Sequence, residues 1–192
     1  MPSRDSPNPA RVVFSWSVAA ASRSCPAAEM RPLPYAAKFI FRGPARAMEA
    51  AGRAYGLPLP EIACRAAADG QRAALWLGPD EWLLIAPEDE AAAVAHDIAE
   101  ALAGIPHALV AVGHRNLGIE IAGAAAATVL NSGCPLDLDL EAFPVGMCTR
   151  TVLAKAEIVL WRTAAHTFRI EVWRSFASYV WQFLDQARGE LR

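Results

Sequence analysis

The sequence predicts an α+β fold: two similar strand-helix-three strand-helix units, forming mixed or antiparallel sheets with helices packed on them. Three observations predict it. From residue 37 the apolar pattern switches repeatedly between period two and period 3.6, with Gly, Pro, Asn or Asp at the switches. Two sets of three consecutive short strands are joined by tight turns, which favours antiparallel pairing. The order of elements then repeats, giving pseudo-repeats over about 37–103 and 107–188. With 192 residues, 54% of them hydrophobic, the chain has ample material for a core.

The first 29 residues are set apart, because Pro2, Ser3, Ser6, Pro7, Pro9, Ser22, Ser24 and Pro26 break any helical or strand period. A disordered or over-extended tail over 1–29, dispensable for folding, is expected ahead of a domain over 30–192 that opens at Met30. Val12–Ala21 follows Arg4 and Arg11 as a signal peptide's apolar region would, but Asp5, Ser15 and Ser17 argue against that reading.

Ala37–Arg42 alternates as a strand, and Gly43-Pro44 then starts a helix that ends at Tyr55 before Gly56. Met48, Gly52 and Tyr55 fall on its inner face. Strands follow at Glu61–Ala66, Gln71–Leu77 and Glu81–Ala86, separated by Asp69-Gly70 and Gly78-Pro79-Asp80 turns. Glu88–Ala103 reads as a helix with acidic residues at its positive end and Val94, Ile98 and Leu102 in one stripe. In the second unit, His107–Val112 and Asn116–Ala122 are strands, and an Ala-rich helix ends near Asn131–Gly133. A loop over Pro135–Pro144 carries Asp137, Asp139 and Glu141. Strands Met147–Ala154, Ile158–Arg162 and Thr167–Trp173 precede a closing helix, Ser175–Arg188, with Phe176, Val180 and Phe183 expected inward.

Charge is balanced, 18 basic residues against 20 acidic, so no field of one sign gathers nucleic acid or anionic lipid. Apolar runs such as Ala73–Leu77 are far short of the roughly 20 residues a membrane-spanning helix needs. Cys25, Cys64, Cys134 and Cys148 are scattered without a C-x-x-C pair, which suits reduced, buried thiols and a cytoplasmic location. No Gly-rich phosphate loop, H-E-x-x-H, G-x-S-x-G or Walker pattern occurs, and His96, His107 and His166 lack metal-ligand spacing.

The densest polar cluster is His114-Arg115-Asn116, in a turn between two strands. A guanidinium grips a carboxylate with two parallel bonds, an imidazole titrates near neutral pH, and an amide both donates and accepts. The competing reading is that these residues stabilise the turn by bonding backbone carbonyls. Asp80 and Glu81 are adjacent along a strand edge and so diverge, which makes them a turn rather than an acid–base pair. Six tryptophans are many for this length. Trp76, Trp82, Trp161 and Trp173 alternate with aliphatics as core residues do, yet aromatics are also enriched at interfaces.

Several stretches resemble one family: LGPDEWLLIAP at 77–87, VGHRN at 112–116, LNSGCPLDLDLEAFPVGMCTRTVLAKAEIVLWRT at 130–163 and FRIEVWRSFASYVWQFL at 168–184. They are similar to the gamma subunit of heterotetrameric sarcosine oxidase over about residues 34–188, departing at Gly113, where the family pattern suggests Ser. The resemblance implies a fold like the folate-binding domains of aminomethyltransferases. It implies a cytoplasmic complex with alpha, beta and delta subunits that oxidises sarcosine to glycine, passes the one-carbon unit to tetrahydrofolate and forms hydrogen peroxide. FAD, FMN, NAD and tetrahydrofolate are implied in the partner subunits and none in this chain, and no residue here carries over as catalytic, cofactor-binding or metal-binding. His114, Arg115, Asn116, Trp82, Trp173 and Arg174 are the candidates for an interface with those partners. The alternatives are a stand-alone folate-dependent aminomethyl or one-carbon transferase, and a gamma-like subunit of a related N-methyl amine demethylase.

Overall fold

Alternation in the second strand sends Ala37, Phe39 and Phe41 toward helices, while Lys38 and Ile40 face the opposite way. The same two-sided rule organises the whole computed structural model, which describes residues 16, 19, 22 and 24–191. The strands are β1 (Glu29–Pro32), β2 (Ala36–Arg42), β3 (Ala66–Asp69), β4 (Arg72–Gly78), β5 (Glu81–Pro87), β6 (Ala108–Ala111), β7 (Asn116–Ala122), β8 (Cys148–Leu153), β9 (Ala156–Ala164) and β10 (Thr167–Trp173). The α-helices among the described residues are α1 (Ala45–Tyr55), α2 (Ala91–Ala101), α3 (Ala126–Asn131) and α4 (Arg174–Gly189).

The strands form two antiparallel sheets. The first runs β3-β4-β5-β2-β6 and the second β8-β9-β10-β7-β1. Read side by side, these orders correspond strand for strand. The correspondence has one twist: the edge filled in the first sheet by β6, which follows α2, is filled in the second by β1, from the other end of the chain.

Four layers result. Ala47, Met48, Ala51, Tyr55, Val94 and Ile98 of α1 and α2 close over the outer face of the first sheet, on Phe39, Phe41, Trp82 and Leu84. Val129, Leu130, Val180, Trp181 and Leu184 of α3 and α4 do the same for the second, on Ile119, Ile121, Leu160, Phe168 and Ile170. Between the sheets, Leu75, Leu83, Ile85, Val112, Cys148, Val159 and Trp161 form a third apolar cluster. Each large aliphatic or aromatic side chain so buried contributes roughly 1.5–3 kcal/mol.

Five expectations are corrected. The strand expected over Glu61–Ala66 begins only at Ala66, since residues 62–64 turn and Cys64 takes a left-handed φ of 59°. The helix expected from Glu88 begins with a 3-10 turn, Glu88–Glu90, before α2. The strand expected over His107–Val112 was assigned to the second unit, but β6 pairs with β2 in the first sheet. Phe176 faces outward; the buried stripe of α4 is Ala177, Val180, Trp181, Leu184 and Arg188. Finally, the tail expected over 1–29 is in part core. Cys25 and Ala28 are buried, and β1 starts at Glu29 and pairs with β7. Trp16 packs 5.5 Å from the Trp181 ring, Trp181 Nε1 donates to Ser22 Oγ (3.2 Å), and Arg188 donates to Ser22 Oγ (3.0 Å) and to the Ala28 carbonyl (3.1 Å). At Gly123 a Cβ would lie 2.4 Å from the Ala27 carbonyl oxygen, so the glycine is what lets this segment lie against the end of β7. Residues 1–15, 17, 18, 20, 21 and 23 of the expected tail lie outside the described residues.

Candidate functional site

The chain passes from the first sheet to the second in the turn between β6 and β7, residues 113–115. Close backbone approach builds this crossover. Val112 N–H donates to the Lys38 carbonyl (2.8 Å), and both Arg115 N–H and Asn116 N–H donate to the Val112 carbonyl (3.0 Å each). A Cβ on Gly113 would sit 2.9 Å from the Ala36 carbonyl oxygen, so a serine there would force the turn away from β2.

At the same corner β10 ends and α4 begins. Trp173 is the register partner of Asn116, and Arg174 N–H donates to the Arg115 carbonyl (2.7 Å). The Arg115 guanidinium lies 4.8 Å from the centroid of the Trp173 ring, a cation–π contact at the surface. Five of the six sequence candidates, His114, Arg115, Asn116, Trp173 and Arg174, therefore meet in one place. Their exposures differ: His114, Arg115 and Trp173 are exposed, Arg174 is half-buried and Asn116 is buried.

Trp82 does not belong with them. It is 2% exposed, packs on Phe41 (ring centroids 5.9 Å) and donates Nε1–H to the Pro60 carbonyl (2.8 Å) on the far face of the first sheet. As an interface candidate it is corrected, because its parity along β5 points it toward α1 rather than out. Asp80 and Glu81 are held by cations: Arg42 reaches Asp80 (3.3 Å), and Arg150 of β8 clasps Glu81, tying the second sheet to the first.

Beneath the corner lies a buried polar cluster that the sequence reading missed. Lys38 Nζ of β2 donates to Glu171 Oε2 of β10 (2.5 Å) and to the Asn116 carbonyl (3.0 Å), and Arg169 Nε donates to Glu171 Oε1 (2.7 Å). Lys38 and Glu171 are each 2% exposed. Burial alone would raise the Glu171 carboxyl, but the charges and bonds of Lys38 and Arg169 outweigh it and hold the group below the ordinary carboxylate value. Burial pushes the Lys38 ammonium down, against the pull of Glu171. The available signal was a charge inside an otherwise apolar strand, in AKFIF and again in RIEVW. A strand buried on both faces tolerates a charge only with a partner.

Other polar and thiol groups of the chain hold structure. The Arg162 guanidinium, buried over the Phe168 ring at 4.4 Å, donates to the carbonyls of Phe143 (2.5 Å) and Leu138 (3.0 Å), fixing the 135–144 loop. Asp137 and Asp139 accept backbone bonds inside that loop, from Asp139 N–H and Glu141 N–H (2.9 Å each). Cys148 sits between the sheets with its thiol pushed up to about 12 by burial, which suits a packing role. Among the described residues no three His, Cys, Asp or Glu side chains gather as a metal site, and no helix is long and apolar enough to cross a membrane.

A model of the sarcosine oxidase gamma subunit family matches residues 42–190. The chain is 37% identical over 118 residues to sarcosine oxidase subunit gamma of Corynebacterium sp. (strain P-1), covering 62% of this chain and 57% of that relative. The match to subunit gamma of Arthrobacter sp. is 38% over 121 residues, covering 63% and 58%. The aligned stretch thus spans less than three fifths of either relative. Among solved structures, heterotetrameric sarcosine oxidase from Corynebacterium sp. U-96, in complex with pyrrole 2-carboxylate, superposes with a TM-score of 0.82 at 31% identity over 89% of both chains. Aminomethyltransferase T of the glycine cleavage system from Bartonella henselae superposes with a TM-score of 0.64 at 15% identity, over 82% of this chain and 45% of that one, a likeness of fold alone. Doubled sheets, crossover turn and matched sequence agree, and the chain belongs to the sarcosine oxidase gamma subunit family.

Proposed function

We propose that this chain is the non-catalytic gamma subunit of a heterotetrameric sarcosine oxidase. In that role it assembles in the cytoplasm with alpha, beta and delta subunits, which hold FAD, FMN, NAD and tetrahydrofolate. It supports oxidative demethylation of sarcosine to glycine, with one-carbon transfer to tetrahydrofolate and formation of hydrogen peroxide. The observation that carries this reading is the superposition on the Corynebacterium complex along nearly nine tenths of both chains. The surface favoured for contact is the corner of His114, Arg115, Trp173 and Arg174, because a rigid scaffold presents its loop there and an indole lies exposed under a guanidinium.

The test is coexpression with the other three subunits. The chain is expected to copurify with them in equal amounts, and to purify without flavin absorbance when expressed alone. Full activity and assembly of the other three in its absence would overturn the proposal. If Arg115 meets a carboxylate that is desolvated on assembly, Arg115→Ala weakens association by about 2–5 kcal/mol. A role in the reaction would instead leave assembly intact and lower turnover.

A further inference from the structure

The segment that leads into β3 of the first sheet runs antiparallel to the start of β8 in the second. Arg65 bridges Met147, Cys148 N–H donates to the Cys64 carbonyl (2.9 Å), and Ala66 N–H donates to the Gly146 carbonyl (2.8 Å). That register sets Cys64 directly opposite Cys148. Residues opposed in an antiparallel pair have Cα atoms roughly 4.5–5.5 Å apart, inside the roughly 4.4–6.8 Å over which a disulfide closes. Both thiols are free. The sequence reading missed the pair, because the two cysteines lie far apart in the chain and only the meeting of the two sheets opposes them.

The two thiols differ in setting. Cys148 is fully buried in the cluster between the sheets, where its thiol donates to the Trp76 carbonyl (3.5 Å), a weak bond that costs little to give up. Cys64 is half-buried, at the exit of the turn over residues 62–64, so it is the thiol that a small molecule reaches first. Burial pushes the Cys148 thiol up to about 12, the negative charge of an ionised Cys64 adds to the rise, and Arg65 opposes it, so both residues lie within electrostatic reach of Cys148. A thiol this hard to ionise does not attack an oxidant unaided. It reacts once a neighbouring sulfur has been oxidised for it. Cys134 packs in the core under α3 and α4, and Cys25 lies against the Arg188 carbonyl, so neither competes for Cys64.

Resting on the assembly reading above for its oxidant, the hydrogen peroxide that the complex forms, we propose that Cys64 and Cys148 close a reversible disulfide that ties the first sheet to the second. The Cys64 sulfur attacks one peroxide oxygen and the O–O bond breaks, leaving a sulfenic acid on Cys64 and releasing water. The Cys148 sulfur then displaces hydroxide from that sulfenic sulfur, and the Cys148 proton leaves with it as a second water. One peroxide is thereby reduced to two waters while two thiols become one disulfide. The bond closes a long loop across the layer between the sheets, and so stabilises the oxidised chain against unfolding.

The test has two arms. In the first, the full chain alone is treated with hydrogen peroxide, its remaining thiols are alkylated, and its peptides are mapped. Two of the four thiols are expected to be lost, in a peptide pair joining Cys64 to Cys148. The melting temperature is expected to rise by about 10 °C and to return on addition of dithiothreitol. Cys64→Ser is expected to form no disulfide and to lose thiols at least tenfold more slowly, and Cys148→Ala to stop at a sulfenic acid on Cys64 that dimedone traps. Should Cys148→Ala fail to fold, Cys64→Ser and the peptide map decide alone. No bond between Cys64 and Cys148, or a bond that takes Cys25 or Cys134 instead, overturns the inference and leaves the assembly reading standing. In the second arm the chain is coexpressed with the other three subunits and the complex is given sarcosine, and the same disulfide is expected to accumulate with turnover. A complex that forms peroxide from sarcosine without oxidising the pair overturns the inference alone. A chain that never joins a peroxide-forming complex overturns the assembly reading, and the proposed source of oxidant with it.

Discussion

The layer between the two sheets has two ends built on opposite principles. At one end Leu75, Leu83, Ile85, Cys148, Val159 and Trp161 meet without a charged side chain among them. At the other, Lys38, Arg169 and Glu171 meet as a buried charge cluster under the crossover turn. The apolar end supplies non-directional attraction, which tolerates small shifts of one sheet over the other. The charged end is directional, since a 2.5 Å ion pair and a 3.0 Å bond to the Asn116 carbonyl are satisfied in only one register. Attraction holds the sheets together, and the ion pair fixes where they sit.

The comparison is broken most severely by removing one charge. Glu171→Leu leaves Lys38 buried and uncompensated, and a loss of about 3–5 kcal/mol is expected in urea unfolding. If the loss is within error of zero, the charged end has no part in holding the sheets. Adding Lys38→Met to Glu171→Leu is expected to recover most of that stability, because the pair replaced by apolar side chains carries no stranded charge. Acid sharpens the point. The folded-state carboxyl of Glu171 lies below its unfolded value, so its contribution is present above the ordinary carboxylate range and lost as pH falls through the depressed value. Wild type should therefore lose more stability on acidification than Glu171→Gln, and equal slopes would contradict the assignment.

At the apolar end, Leu83→Ala removes a fully buried side chain and should cost about 3 kcal/mol, with no added dependence on pH. Deleting residues 1–29 comes next. It strips Arg188 and Trp181 of Ser22 and the Ala28 carbonyl, and a loss of about 1–3 kcal/mol is expected from the stranded donors. An unchanged melting curve would restore the view of that segment as a dispensable tail. The smallest effect in the isolated chain is that of Arg115→Ala. It removes a surface cation–π contact of about 0.5–1 kcal/mol, and its larger consequence is reserved for assembly.

Local signals were enough to place most elements. β7 and β10 fall where their alternation put them, and α1 is bounded by Pro44 and Gly56 because proline presets the helical start and glycine takes the left-handed stop. The turn at residues 113–115 was legible as polar punctuation between strands, and five of the six chosen candidates share its corner. These features depend on neighbours within a few residues, which is the range that periodicity and turn chemistry report.

Tertiary structure decided the rest. Which sheet β6 joins depends on a pairing partner some 70 residues away on β2, and nothing local distinguishes one edge from another. Whether Trp82, Trp173 and Phe176 lie inside or outside depends on which face meets a second layer, and aromatics suit both core and interface. The segment before Met30 lacks a period of its own because it packs through single residues, Trp16, Cys25 and Ala28, into gaps left by α4 and β7. Lys38 and Glu171 lie 133 residues apart in sequence, so each reads alone as an odd charge in an apolar strand, and only the facing of the two sheets makes them a pair.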